Sequence, residues 1–592
     1  MGERNFSDAQ KRYLEGFVSG LEARRAAAGL KPLAAAAAGG LAPTGPDAAH
    51  LQAMARWEAT GRKLASEEIA KREEHPFDAY ARLKAESSRG QYPKAADNFR
   101  WRFHGLFYVA PTQQSYMCRL RVPNGVLTHW QLAGVAEIAA RYASGNADVT
   151  TRANLQLRGI AAADAIAVLE GLAELGLASK GSGADNIRNV TGSPTAGIDP
   201  QELLDTRPYA RAWHHHVLND RSLSGLPRKF NVGFDGGGSV PVLEDTNDIA
   251  FSAVTVAQGS GIAAGVWFRL GLGGVTGHQN FARPTGVLVE PAQAVEVADA
   301  IVRVFIEHGN RTDRKKARLK YLLDDWGVDK YLAAVEAKLG RPLTRLEQQL
   351  VSQRDRPQRQ AHVGVHKQKQ PGYVWVGVAL AVGRMSQAQL RGIAAIAQTL
   401  GDGDIRLTVW QNLLISGVAE RDAAEVERRL EAIGLSAKAS AIRAGLVACT
   451  GNSGCKFAAS NTKDTALAIA RYVEAQLALD TPINVHVTGC PNSCAQHYVG
   501  DIGLLACRVP VSPLSDDTVE GFHVYVGGGF GADAGIAREL RRDVPVEDCP
   551  ALVAGLLRVY LDRRRVNEPF LAFARRTELQ ALQAMLAAEV PA

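Results

Sequence analysis

Apolar residues recur along this chain in two rhythms, and their boundaries divide it into alternating strand and helix units. Residues 483–487 place Ile483, Val485 and Val487 at every second position, the period of a half-buried strand. Just before them, residues 461–479 carry Ala466, Ala470, Val473 and Leu477 on one helical face, with Asn461 or Thr462 available as the cap. Residues 249–268 are uncharged, but Gln258, Gly259, Ser260 and Gly261 lie at their middle. Two β runs around a turn are therefore predicted there, not a membrane helix. An amphipathic helix is expected over 7–27, and the Ala-, Gly- and Pro-rich stretch 31–48 reads as a linker.

The same pattern repeats at long range. Residues 116–160 and 373–417 each give a strand, a helix beginning near a Gln-Leu pair, a Gly/Asp turn and a second strand containing Asn154 or Asn412. The offset of 257–258 residues is far longer than a solenoid repeat and indicates duplication of a large unit. The copies differ in charge. Trp410 stands where the first copy has Arg152, and Val376 falls near the place of Arg119. The first copy keeps cations aimed at something, whereas the second reads as scaffold.

Composition narrows the function classes. With 592 residues, 46% of them hydrophobic, the chain can bury about four domain-sized cores. Its net charge of +7 is spread out rather than run together, which argues against nucleic-acid binding. That balance suits an anionic cofactor, an anionic substrate or an acidic protein partner. The first residues are charged and lack an apolar signal-peptide core, so a cytoplasmic protein with no membrane association is expected.

Candidate chemistry centres on four cysteines. Cys449 and Cys455 lie in CTGNSGC, and Cys490 and Cys494 in GCPNSC. Four thiolates suit a cubane iron–sulfur cluster, one per iron. The first spacing is wrong for a zinc knuckle, and nothing marks the chain for disulfide formation. Residues 483–487 would deliver Cys490 at a strand end, with Gly489, Pro491 and Asn492 turning Cys494 back beside it. Cys118, Cys507 and Cys549 stand alone and read as packed residues. Consecutive histidines at 214–216 point in different directions along a helix and make a poor metal site. The glycines at 527–531 lack dinucleotide-loop spacing and read as a turn after a strand, and those at 271–277 as a turn able to approach a cofactor closely.

With these residues in place, the chain resembles the sirohaem-containing sulfite and nitrite reductase family over roughly residues 90–590. The resemblance implies a 4Fe–4S cluster on Cys449, Cys455, Cys490 and Cys494, with Cys494 also bridging to the sirohaem iron. It implies that Arg119, Arg152, Lys229 and Asn231 face the substrate. Sirohaem carries eight carboxylates, and Arg121, Arg158, Arg188, Arg311, Arg314, Lys316 and Arg318 are candidate partners for them. Lys229 and Asn231 in LPRKFNVGF would share one face of an extended segment. The family's sulfite reducers usually carry lysine at the second position, and its nitrite reducers asparagine. One fewer cation disfavours the sulfite dianion relative to nitrite.

The fold implied is α+β with pseudo-twofold halves: two ferredoxin-like αβ modules and two sirohaem- and Fe–S-binding α/β modules. Expected boundaries are 1–75 for the N-terminal segment, 76–175, 176–345, 346–435 and 436–592. The function implied is six-electron reduction of nitrite to ammonia by a monomer, with electrons from ferredoxin or a similar acidic donor. Sulfite reduction on the same scaffold is the alternative, followed by a cobalamin-pathway oxygenase or a non-catalytic cluster protein.

Overall fold

The computed structural model describes residue 24 and residues 43–347, 350–352, 357–512 and 516–589. Apart from Arg24, the helix expected over 7–27 lies outside the described residues, as does most of the linker over 31–48.

The Gln-Leu pairs of the repeat are helix caps. Thr128 caps the helix His129–Tyr142 and Ser386 caps Gln387–Leu400, each in a capping box with the glutamine three residues on. Each cap is worth about 1 kcal/mol and fixes where the strand ends and the helix begins. The amides of Gln131 and Gln389 then reach the carbonyls of Leu175 and Ile433, tying each helix to the end of its partner helix.

Each copy builds a five-stranded sheet, and the two sheets exchange a strand. The first runs in the order 106–109, 115–119, 155–160, 146–149 and then 384–386, a strand from the second copy. The second runs 364–367, 373–378, 413–419, 404–407 and then 126–128, from the first copy. One hydrophobic core extends across both sheets, so the two ferredoxin-like modules form a single body.

Strand register corrects one detail of the repeat. Cys118 pairs with Leu157 and Val376 pairs with Ile415, so Val376 is the counterpart of Cys118. Arg119 pairs with Gln156 as Gly377 pairs with Leu414, which makes Gly377 the counterpart of Arg119. A Cβ at Gly377 would lie 2.5 Å from the His362 carbonyl oxygen. The second copy thus has backbone where the first has an arginine. Trp410, in the place of Arg152, is buried and donates to the Pro241 carbonyl at 3.1 Å.

Two further mixed sheets follow the same plan as each other, with parallel strands at one edge and antiparallel strands at the other. One joins 191–192, 232–235, 249–256, 265–272, 283–289 and 344–345, with 351–352 beside 249–256. The other joins 446–448, 485–488, 502–510, 518–526 and 538–545. Each has its own core. A local motif recurs at its turn. The Asn231 amide nitrogen donates to Asp248 at 2.8 Å, and the Asn484 amide nitrogen donates to Asp501 at 2.8 Å. Arg318 closes the first pair and Arg359 the second, each at 2.7 Å. The duplication therefore includes the larger modules as well.

Residues 249–268 form the strands Ile249–Val256 and Gly265–Leu272 around a turn, as the pattern predicts. The helices Ala48–Ala59 and Ser66–Glu73 belong with the first large module, because Glu68 and Lys71 enter a buried charge network with Arg311 and Asp185.

Candidate active site

The cysteine loops leave neighbouring strands at the same sheet end. Strand Leu446–Ala448 runs parallel to Val485–Thr488, so Cys449 and the turn at Cys490 emerge side by side. The Cys449 amide donates to the Val487 carbonyl at 3.1 Å, and the Gly489 amide donates to the Cys449 Sγ at 3.1 Å. The Asn492 side-chain amide approaches the Cys490 Sγ at 3.5 Å. Burial pushes the Cys449 thiol up to about 11 and raises that of Cys490. Thiolates held there need metal cations to stabilise them. Among the described residues, no three of the four sulfurs fall within 4.8 Å of one another. A single tetrahedral zinc draws its donors closer than that, whereas a polynuclear cluster does not.

Gly489 sets the approach of the two loops. A Cβ there would lie 2.6 Å from the Ala458 Cβ and 3.4 Å from the Cys449 Sγ. Overpacking of this kind costs about 1–3 kcal/mol. Gly489→Ala is expected to lower iron and acid-labile sulfide per chain while far-UV circular dichroism stays native. Full iron content in that variant would show that the loops can part without loss.

The first half of the chain holds both loops. The Thr151 hydroxyl donates to the Cys494 carbonyl at 2.8 Å, and the Gln496 amide to the Thr246 hydroxyl at 3.1 Å. Arg158 donates to the Thr450 hydroxyl at 2.9 Å and to the Gly454 carbonyl at 3.0 Å. A Cβ at Gly277 would sit 3.0 Å from the Asn492 carbonyl oxygen. The glycine turn over 271–277 thus approaches the second cysteine loop itself.

Arg119, Arg152, Arg188 and Lys229 converge on this place, and none has a carboxylate partner among the described ion pairs. Arg152 donates to Asn247 Oδ1 at 2.8 Å and to the Asn189 carbonyl at 2.5 Å, which fixes its guanidinium. Arg188 donates to the Ser182 and Ala184 carbonyls at 2.8 and 2.7 Å. Arg119 lies over the Phe107 ring at 4.7 Å and reaches the Ser182 carbonyl. Lys229 makes no hydrogen bond among the described residues. Phe230 between them is buried, so Lys229 and Asn231 share the opposite face of an extended run-in to the strand Val232–Asp235.

The charges in this cluster are strained. Burial pushes Arg119 down to about 10 and Arg152 down to about 9, and lowers Arg188 well below its usual range. Lys229 is pushed down to about 7, first by burial and then by Arg318, while the Cys494 sulfur acts in the opposite direction. The Arg152 Nε, the Arg188 Nε and the Asn231 Oδ1 are buried without a partner. Buried cations and the unpaired Arg152 and Arg188 N–H groups call for an anionic group with acceptors here, whereas the Asn231 Oδ1 needs a donor.

The remaining cations anticipated from sequence divide by their partners. Arg121 is buried and spends its guanidinium on the Gly181 and Ile187 carbonyls and on His214. Arg311 is buried against Glu68 at 2.5 Å, and Arg314 is bidentate to Asp185 at 2.6 and 2.9 Å. These three hold loops and leave no free fork toward the site. Arg158 grips the first cysteine loop, as described. Arg318 pairs with Asp248 below Asn231. Lys316 is exposed. His216 pairs with Asp299 at 2.8 Å while His214 turns inward, so the three histidines do not converge.

Several supporting residues escaped sequence reasoning. Asn189 donates to the carbonyls of Val122, Arg152 and Ala153 and so locks the Arg152 loop. Asp148 is buried between Arg384, Lys463 and Arg158, at 3.1, 3.2 and 3.7 Å, beside the first cysteine loop. Asn189 lies in a loop and Asp148 in the strand Asn146–Val149, and no motif in the sequence marks either.

Comparison with known proteins agrees with this geometry. The family described as nitrite and sulphite reductase 4Fe-4S domain matches residues 183–343 and 440–581. The nitrite/sulfite reductase ferredoxin-like half domain matches residues 110–175 and 366–433. A ferredoxin–nitrite reductase of Leptolyngbya laminosa is 37% identical over 471 residues, covering 77% of this chain and 89% of the relative. The chloroplastic ferredoxin–nitrite reductase of Zea mays is 37% identical over 470 residues, covering 77% and 81%. The solved structure of the Mycobacterium tuberculosis NirA protein superposes with a TM-score of 0.81 at 28% identity, covering 89% of this chain and 99% of that one.

Proposed function

The chain belongs to the nitrite and sulfite reductase family, and on that premise we propose that it reduces nitrite to ammonia with electrons supplied one at a time by reduced ferredoxin. The observation that carries this reading is the group of carboxylate-free cations gathered around Cys494, with Asn231 rather than a further lysine beside Lys229. Cys449, Cys455, Cys490 and Cys494 would hold the 4Fe–4S cluster, and Cys494 would also be the ligand shared with sirohaem. When bound, sirohaem would supply an iron able to take up the substrate and receive electrons by way of the cluster.

The protein's own residues then bind, orient and protonate. Arg119 and Arg152 neutralise the oxygens of the substrate anion, and the fixed fork of Arg152 sets its orientation. Lys229, free of partners and pushed down to about 7, can give up and regain a proton near neutral pH. Asn231 can donate from its amide Nδ2 to the anion without adding charge. Arg188 is left to neutralise carboxylates of the macrocycle. The net charge of +7 supports docking of an acidic ferredoxin. The reading includes a monomer in the cytoplasm, where a reduced cluster survives. No helix among the described residues is long and apolar enough to cross a membrane.

The test is direct. The cofactor-loaded protein is given reduced ferredoxin with nitrite or with sulfite, and ammonia and sulfide are measured. Ammonia is expected to form with the larger kcat/KM by about tenfold or more. Faster sulfide formation would overturn the reading in favour of sulfite reduction.

A further inference from the structure

Cys507, His523 and Asp543 stand on three adjacent strands, Ile502–Pro510, Thr518–Val526 and Arg538–Pro545. None of them takes part in the site above. Leu504, Ala506, Phe522 and Val524 point into the core of this sheet, so Cys507 and His523 lie on its other face. Leu505 is opposite His523 and Gly521 is opposite Cys507, which makes Cys507 and His523 diagonal neighbours with no side chain between them.

The third strand is bent to meet them. Phe522 pairs with Val544 but Val524 pairs with Arg541, so Arg542 and Asp543 together oppose His523 in a β-bulge. Asp543 takes φ +52° there. Its Oδ1 lies 3.9 Å from the Cys507 Sγ and 3.7 Å from the His523 Nδ1. One donor atom from each of the three residues falls within 4.8 Å of the others. A tetrahedral ion with bonds of about 2.0–2.3 Å needs donor separations of about 3.3–3.8 Å. Small side-chain adjustments close the difference.

We infer that Cys507, His523 and Asp543 bind a divalent cation of borderline softness, zinc by preference, with water as the fourth ligand. One thiolate, one imidazole and one carboxylate suit zinc and not magnesium or calcium, which take oxygen donors. Three protein ligands plus water is an ordinary zinc arrangement. The neighbouring Arg542 is paired with Glu539 at 2.5 Å. Two interactions change on binding. The Asp543 amide gives up its 3.2 Å hydrogen bond to His523 Nδ1 and turns to water at the sheet edge. The Cys507 thiol releases its proton to solvent as the metal–sulfur bond forms, so affinity rises with pH. The bound ion clips the last three strands of the sheet together.

The test uses the cofactor-loaded protein, washed with chelator and dialysed against micromolar zinc chloride, with zinc and iron measured per chain. About one zinc per chain is expected beyond the washed control, with iron unchanged. Cys507→Ser, His523→Ala and Asp543→Asn should each weaken zinc binding by at least about tenfold, whereas Cys549→Ser should not. Zinc should also raise the unfolding temperature of the wild type and not that of Cys507→Ser. Zinc uptake near zero in the wild type, or uptake equal in the wild type and the three variants, would overturn the assignment.

Discussion

Replacing Cys494 with serine is expected to abolish nitrite reduction while leaving the fold intact. Cys494 is exposed, and its position is set through its backbone carbonyl by Thr151, not through its sulfur. Serine therefore fits without steric cost. Its hydroxyl is a hard, weakly acidic donor and a poor substitute for a thiolate toward iron. Activity should fall about a hundredfold or more. Two readouts separate this from general damage. The far-UV circular dichroism and unfolding temperature of the cofactor-free variant should match wild type. In the loaded variant, electron paramagnetic resonance should show loss of magnetic coupling between the two redox centres. Cys507→Ser should keep full activity, because Cys507 lies outside this constellation. Native activity and coupling in Cys494→Ser would remove Cys494 from its proposed role.

The contrast between the two cysteines shows what was legible in the sequence. Loop position, turn residues and spacing are local properties, so the helix after the first pair, the strand before the second and a helix start near each Gln-Leu pair could be read directly. Asn461 does cap the helix Thr462–Gln476. The duties of individual cations could not be read, because they depend on partners far away in the chain. Arg311 and Glu68 are 243 residues apart, and Arg314 and Asp185 are 129 apart. Nothing near residues 311–318 distinguishes an arginine consumed by a buried carboxylate from one left for a ligand. A one-residue register error likewise cost nothing in sequence but assigned Val376 to the wrong counterpart. Only the pairing of Gly377 with Leu414, and the His362 carbonyl filling that space, shows why the second copy lacks an equivalent of Arg119. The duplication of the larger modules, which the family resemblance implied, shows at residue level in an Asn–Asp pair that recurs at the same spacing and is closed each time by an arginine from elsewhere in the chain.

Asn231→Lys is expected to shift preference from nitrite toward sulfite and to move the alkaline limb of activity to lower pH. Lys229 is already depressed to about 7 by burial and by Arg318. Its cation is present below that value and is lost as pH rises through it, so wild-type kcat/KM for nitrite should decline on the alkaline side. Lys229→Arg should remove that decline, because arginine stays charged. A lysine at 231 would extend from the same face as Lys229. Two like charges about 6 Å apart at an effective dielectric near 20 repel by about 3 kcal/mol. One of the pair must then deprotonate unless the bound anion brings a second negative charge. Sulfite as a dianion brings it and nitrite does not. The ratio of the two kcat/KM values should move toward sulfite by about ten- to a hundredfold, since most but not all of that energy is recovered on binding. The backbone amide at 231 still donates to Asp248, so the strand entry is retained. An equal loss for both anions, with no shift of the pH limb, would mean that position 231 acts on the fold of the site and not on the charge of what it binds.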